Sequence, residues 1–108
     1  MSEKVLQINF KFNVSVDEYE KAVSPVADAI ASVDGLRWKV WIVNEDESEA
    51  GGIYLFDDES SVQAYLAGPI VDQIKKHPAL SDISAKVFDV MDKPTGVTRG
   101  PLKMGVPA

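Results

Sequence analysis

Residues 37–56 read RWKVWIVNEDESEAGGIYLF, two apolar runs separated by an acidic loop. The first run, with Leu36 before it, is rich in aromatic and β-branched residues, and the second ends Ile53-Tyr54-Leu55-Phe56. Both have strand composition, and Glu45-Asp46-Glu47-Ser48-Glu49 between them is a solvated hairpin tip. Strand side chains alternate between faces. Trp38, Val40 and Ile42 therefore share one face, and Trp41 and Val43 share the other with Arg37 and Lys39. The third strand is apolar on both parities as well, so a sheet built from this hairpin needs cover on both faces.

Gly51-Gly52 stands inside the third strand, where glycine marks a bulge or a close approach to the backbone. Placing Asn44 opposite Ala50 pairs Ile42 with Gly52 and Val40 with Tyr54. In that register Trp38, Tyr54 and Phe56 share one face with the gap at Gly52, while Trp41, Ile53 and Leu55 share the other. A slip of one residue would exchange the third strand's faces.

Outward from the hairpin, KVLQINFKFNV alternates Leu6, Ile8, Phe10 and Phe12 with Gln7, Asn9, Lys11 and Asn13, a period-2 strand. Ser15 and Glu18 have capping-box spacing, and Tyr19, Val23, Val26, Ala27, Ile30 and Val33 follow at helical spacing as far as Gly35. Pro25 conflicts with that helix and is expected to kink or divide it. Residues 57–78 form a second helix, with Gly68-Pro69 breaking or kinking it midway. LSDISAKVFDVMD is the fourth strand. The order βαββαβ is that of a ferredoxin-like α+β fold, with residues 1–92 as the domain and 93–108 as an extended Pro/Gly-rich tail. Burying the open sheet face against a second copy accounts for its apolar character, so a sheet-to-sheet homodimer is expected.

The composition narrows function mainly by exclusion. With no cysteine, thiol nucleophiles and thiolate metal sites are absent, and one histidine leaves little for a zinc site. A net charge of −6 with scattered basic residues disfavours nucleic acid. No run approaches a membrane span, and Met-Ser-Glu-Lys leads into a strand without an apolar secretion segment, so a cytoplasmic protein is expected. No phosphate-binding glycine loop is present. His77 ends a helix beside Lys75 and Lys76, which favours a helix-terminal role over catalysis. What remains is an aromatic and amide set: Gln7, Asn9, Trp38, Tyr54, Phe56 and Tyr65. An apolar pocket with a few convergent polar groups suits a small molecule.

WKVW, EAGGIYLF, DESSVQAYL and AKVFDV, within residues 4–91, resemble the YdhR monooxygenase family of the dimeric α/β-barrel superfamily. That superfamily also holds antibiotic-biosynthesis monooxygenases and haem-degrading enzymes. The resemblance implies cofactor-independent oxygenation of a small aromatic substrate, anthrone- or phenol-like, with no cofactor. Asn9 and Tyr54 would orient the enolate as catalytic residues. Gln7, Trp38, Phe56 and Tyr65 would bind the substrate, and no base is identified. Haem-degrading relatives use an Asn on strand one, a Trp ending strand three and a His on helix two; Phe56 and Tyr65-Leu66 depart from that pattern. The alternative is a non-catalytic binding or sensory domain on the same scaffold.

Overall fold

The computed structural model describes residues 3–102. Its elements run β1 (Lys4–Phe12), α1 (Val16–Ala31), β2 (Leu36–Asn44), β3 (Glu49–Phe56), α2 (Glu59–Leu66), α3 (Pro69–Lys76), β4 (Leu80–Asp89) and α4 (Asp92–Val97). The four strands form one antiparallel sheet in the order β2-β3-β1-β4, the ferredoxin-like arrangement.

Local chemistry explains the elements. Ser15 caps α1 with its hydroxyl on the Glu18 amide, and the Glu18 carboxylate returns to the Ser15 amide. Pro25 lies within α1 without dividing it. Pro25 and Lys21, whose carbonyl loses its donor, are both exposed, so water can satisfy that carbonyl. Gly68-Pro69 does end α2 and start α3, with Pro69 at the first turn of the new helix.

The core lies between the sheet and α1–α3. Leu6, Ile8, Phe10 and Phe12 of β1 point into it with Tyr54 and Phe56 of β3, Val62 and Tyr65 of α2, and Val71 of α3. The β2–β3 register differs by one residue from the expected pairing: Asn44 opposes Glu49, Trp41 opposes Gly52 and Lys39 opposes Tyr54. The hairpin loop is shorter by one residue, with Ser48 at a left-handed φ of 50° and its amide donating to the Glu45 carbonyl. A second irregularity, at Arg37, lets Leu36 oppose Phe56 on the core side while Trp38 opposes Leu55 on the other face.

The faces of the two tryptophans are therefore exchanged. Trp41 lies on the helix side with Lys39 and Tyr54, and Trp38 lies on the far face with Ile53 and Leu55. On that far face the chain after β4 folds back. Residues 93–97 of the stretch 93–108, expected to be extended, instead continue the helix α4 begun at Asp92. The segment beyond α4 brings the Pro101 carbonyl to the Trp38 indole nitrogen at 2.8 Å. Residues 103–108 of that expected tail lie outside the described residues.

Candidate active site

Register and helix placement create an apolar cavity between the sheet, α1 and α3. It has a volume of about 100 Å³ and is lined among others by Phe10, Tyr19, Val26, Lys39, Trp41, Tyr54, Ile74 and His77. A cleft of about 390 Å³ adjoins it along the other side of α1, and the two share Tyr19, Val23 and Trp41 in their walls.

Lys39 is the charged group built into this cavity. Gly52 makes room for it: a Cβ on Gly52 would come within 2.3 Å of Lys39 Cε. The amine lies 3.4 Å from the centre of the Trp41 ring and 4.6 Å from that of Tyr54. Among the described residues no carboxylate is within ion-pair distance of it. Burial pushes its pKa down to about 7 from the usual 10.5. The ring faces favour the ammonium form and oppose that shift. The amine is therefore poised to change charge near neutrality.

Tyr54 and Tyr65 form a buried phenol pair, with hydroxyl oxygens 3.0 Å apart and ring centres 5.2 Å apart. Phe56 packs against both, at 6.0 Å from Tyr54 and 5.6 Å from Tyr65. Desolvation raises the pKa of both phenols, Tyr54 strongly, and it pushes Tyr19 up to about 12. They are neutral hydrogen-bond donors in the physiological range, not bases. Two hydroxyls sharing one hydrogen bond leave a second proton to donate elsewhere. Tyr54 lines the cavity, and Tyr65 stands behind it.

The six residues expected to form one site are divided by the sheet. Tyr54, Phe56 and Tyr65 meet on the helix side. Gln7 and Asn9 lie on the opposite face, where the Gln7 amide donates to the Asn9 side-chain carbonyl at 2.9 Å. Trp38 is on that face too, so the expectation that it walls a pocket with Tyr54 is corrected. For Trp38 the cause is the one-residue shift of the hairpin register, and for Gln7 and Asn9 it is the pairing of Leu6 with Tyr54. Lys39 and Trp41 line the cavity unforeseen. The alternation of β2 put them on one face, but only the register brings that face to Tyr54.

His77 ends α3, and its Nδ1 accepts from the Ala79 amide at 3.1 Å; it also borders the cavity. The acidic hairpin tip holds no metal cluster: among the described residues no group of three or more His, Cys, Asp or Glu is placed to hold an ion.

Residues 5–101 match the family model described as "Putative mono-oxygenase ydhR". The chain belongs to that family, and the match runs into the segment after β4, beyond the stretch that carried the resemblance. None of the curated proteins compared matches it. Among solved structures, it is similar to SnoaB, a cofactor-independent oxygenase from Streptomyces nogalater. The TM-score is 0.67 at 18% identity, covering 83% of this chain and 94% of that one. A putative antibiotic biosynthesis monooxygenase from Deinococcus radiodurans aligns with a TM-score of 0.66 at 14% identity over 81% of this chain and 91% of its own. The haem-degrader MhuD from Mycobacterium tuberculosis aligns at 0.63 and 20% identity, over 81% and 95%. At such identities these likenesses establish the shared fold.

Proposed function

We infer that this member of the ydhR mono-oxygenase family is a cofactor-independent oxygenase acting on a small aromatic substrate, anthrone- or phenol-like, held between the sheet and the helices. The observation that carries the reading is the apolar cavity with a neutral phenol, Tyr54, in its wall and an adjoining cleft. A multi-ring substrate is larger than the cavity and would occupy it together with the cleft, against Tyr19 and Trp41. Loss of a proton leaves the substrate as an enolate whose ring carbon carries the electron pair. That carbanion gives one electron to dioxygen, and the radical pair closes to a hydroperoxide. Loss of the remaining ring C–H proton with O–O cleavage yields the ketone and water.

Within this scheme Tyr54 donates to the enolate oxygen while Tyr65 donates to Tyr54, a chain that strengthens as charge develops. Phe56 backs the phenol pair. Gln7, Asn9 and Trp38 lie away from the substrate. Gln7 and Asn9 belong with Val40 and Phe88, which are 51% and 46% exposed, to a sheet face that a second copy would cover. The homodimer is thus part of the proposal, as is a cytoplasmic setting. Among the described residues no helix is long and apolar enough to cross a membrane.

Oxygen uptake with a panel of anthrones and hydroquinones tests the activity. Turnover by wild type, lost in Tyr54→Phe and kept in Asn9→Ala, is the expected pattern. No uptake with any member of the panel would remove the oxygenase reading and leave the cavity as a binding site.

A further inference from the structure

We propose that Lys39 is the proton acceptor of this cavity, taking the proton of an acidic aromatic hydroxyl or an enolisable ring position onto Nζ. The inference rests on the oxygenase reading for its substrate class but on separate observations for its chemistry. Lys39 is the only lysine among the residues that line the cavity. Its stem fills the space opposite the Gly52 backbone, which fixes the amine against the Trp41 and Tyr54 rings.

The groups facing it from the packed elements are few. From α1 come the Tyr19 phenol on the cavity side and Glu20 on the cleft side of Trp41; from β3 comes Tyr54; from the end of α3 comes His77. Glu20 makes no ion pair with Lys39, and the phenols stay protonated. A lysine beside a carboxylate would be locked as ammonium. This one, held near neutrality by burial, can arrive uncharged.

The step balances without a further reactant. The Nζ lone pair forms an N–H bond to the substrate proton, and the O–H or C–H electron pair remains on the substrate as phenolate or enolate. The resulting ammonium then lies between two ring faces and next to the anion it created, an arrangement more favourable than an isolated buried charge. Tyr54 donates to the same oxygen, so acceptor and donor act on one substrate from one wall.

Two measurements test this. The first needs no variant: reductive methylation with ¹³C-formaldehyde, followed by NMR titration of the dimethyl-lysine signals. One lysine is expected to titrate at about 7 in place of the usual 10.5, and its signal is expected to vanish in Lys39→Met. If every lysine titrates near 10.5 the proposal is overturned. The second uses 4-nitrophenol, whose phenolate absorbs in the visible. At about pH 6, below the Lys39 midpoint and where 4-nitrophenol in buffer is mostly protonated, saturating wild type should raise the phenolate fraction several-fold over buffer. Lys39→Met should bind the phenol, seen by quenching of tryptophan fluorescence, without that band; Lys86→Met, on the far sheet face, should keep it. A band retained in Lys39→Met, or no binding by wild type, would overturn the assignment.

The two levels of the proposal fail separately. A Lys39-dependent phenolate band with no oxygen uptake on any anthrone or hydroquinone of the panel removes the oxygenase reading and leaves Lys39 as the acceptor. Uptake that survives in Lys39→Met removes Lys39 and leaves the oxygenase.

Discussion

At the scale of single residues, Lys39 and Tyr54 carry the chemistry, and each makes a prediction through its protonation. The Lys39 pKa is about 7 in the folded chain and 10.5 unfolded, so between those values the unfolded chain binds more protons. Below pH 7 folding forces a charge into a half-buried site; above 10.5 the amine is neutral in both states and the cost is gone. Lys39→Met is therefore expected to raise the melting temperature at about pH 6, and the gain should shrink to nothing as the pH rises to about 10.5. Each kcal/mol relieved is worth about 4 °C or more in a domain of this size. Solvent access and the two ring faces hold the effect below what burial alone would produce. Parallel thermal melts of both proteins across that range check the sign. For Tyr54→Phe, loss of the donor is expected to lower kcat by about 10²–10³-fold. It should also cost about 1–3 kcal/mol of stability, because the buried Tyr65 hydroxyl loses its partner. Tyr65→Phe, one bond further from the substrate, should reduce kcat less.

At the scale of elements, the two glycines of β3 do different work. A Cβ on Gly51 would lie 1.9 Å from the Ile8 carbonyl oxygen, a backbone atom of the neighbouring central strand. Gly51→Ala must therefore push β1 and β3 apart, and a loss of about 1–3 kcal/mol or more is expected by denaturant titration. At Gly52 the nearest atom is the flexible end of Lys39. Gly52→Ala should cost less, but it should displace the amine toward water and return its NMR midpoint toward 10.5. A reversed order of stabilities would refute this division of roles. Ser15→Ala, which removes the α1 cap, gives a reference value of about 1 kcal/mol.

At the scale of the whole molecule, the far face of the sheet is covered at one end by the chain's own α4 and the residues after it. Leu55 is 0% exposed there, and the Trp38 indole holds the Pro101 carbonyl. The rest, around Val40 and Phe88, is the surface through which the proposed homodimer would pack. Val40→Asp and Phe88→Asp are expected to give monomers by sedimentation at micromolar concentration while Asn9→Ala stays dimeric. Charges cannot be buried against a second apolar face without a partner.

The sequence by itself determined the element order through β4, the Ser15 cap, the interruption at Gly68-Pro69 and the demand for cover on both sheet faces. These follow from local chemistry: alternation, helical spacing, turn residues and side-chain polarity act over a few positions and survive any error in the rest. Which face each residue of the hairpin occupies was settled only by tertiary structure. One left-handed residue at Ser48 goes with a shifted register that exchanges Trp38 with Trp41, and the irregularity at Arg37 returns Leu36 to the core. On the other side of β3, the pairing of Leu6 with Tyr54 leaves Gln7 and Asn9 on the far face. A period of two turns any single-residue shift into a complete change of side. Lys39 was legible as a neighbour of Trp41 on one parity of β2, yet its chemistry came from the gap at Gly52 and the rings around it. Those contacts join strands that the loop alone cannot align, because their pairing is decided by how β3 packs its aromatic face against Leu6 of β1 and Tyr65 of α2.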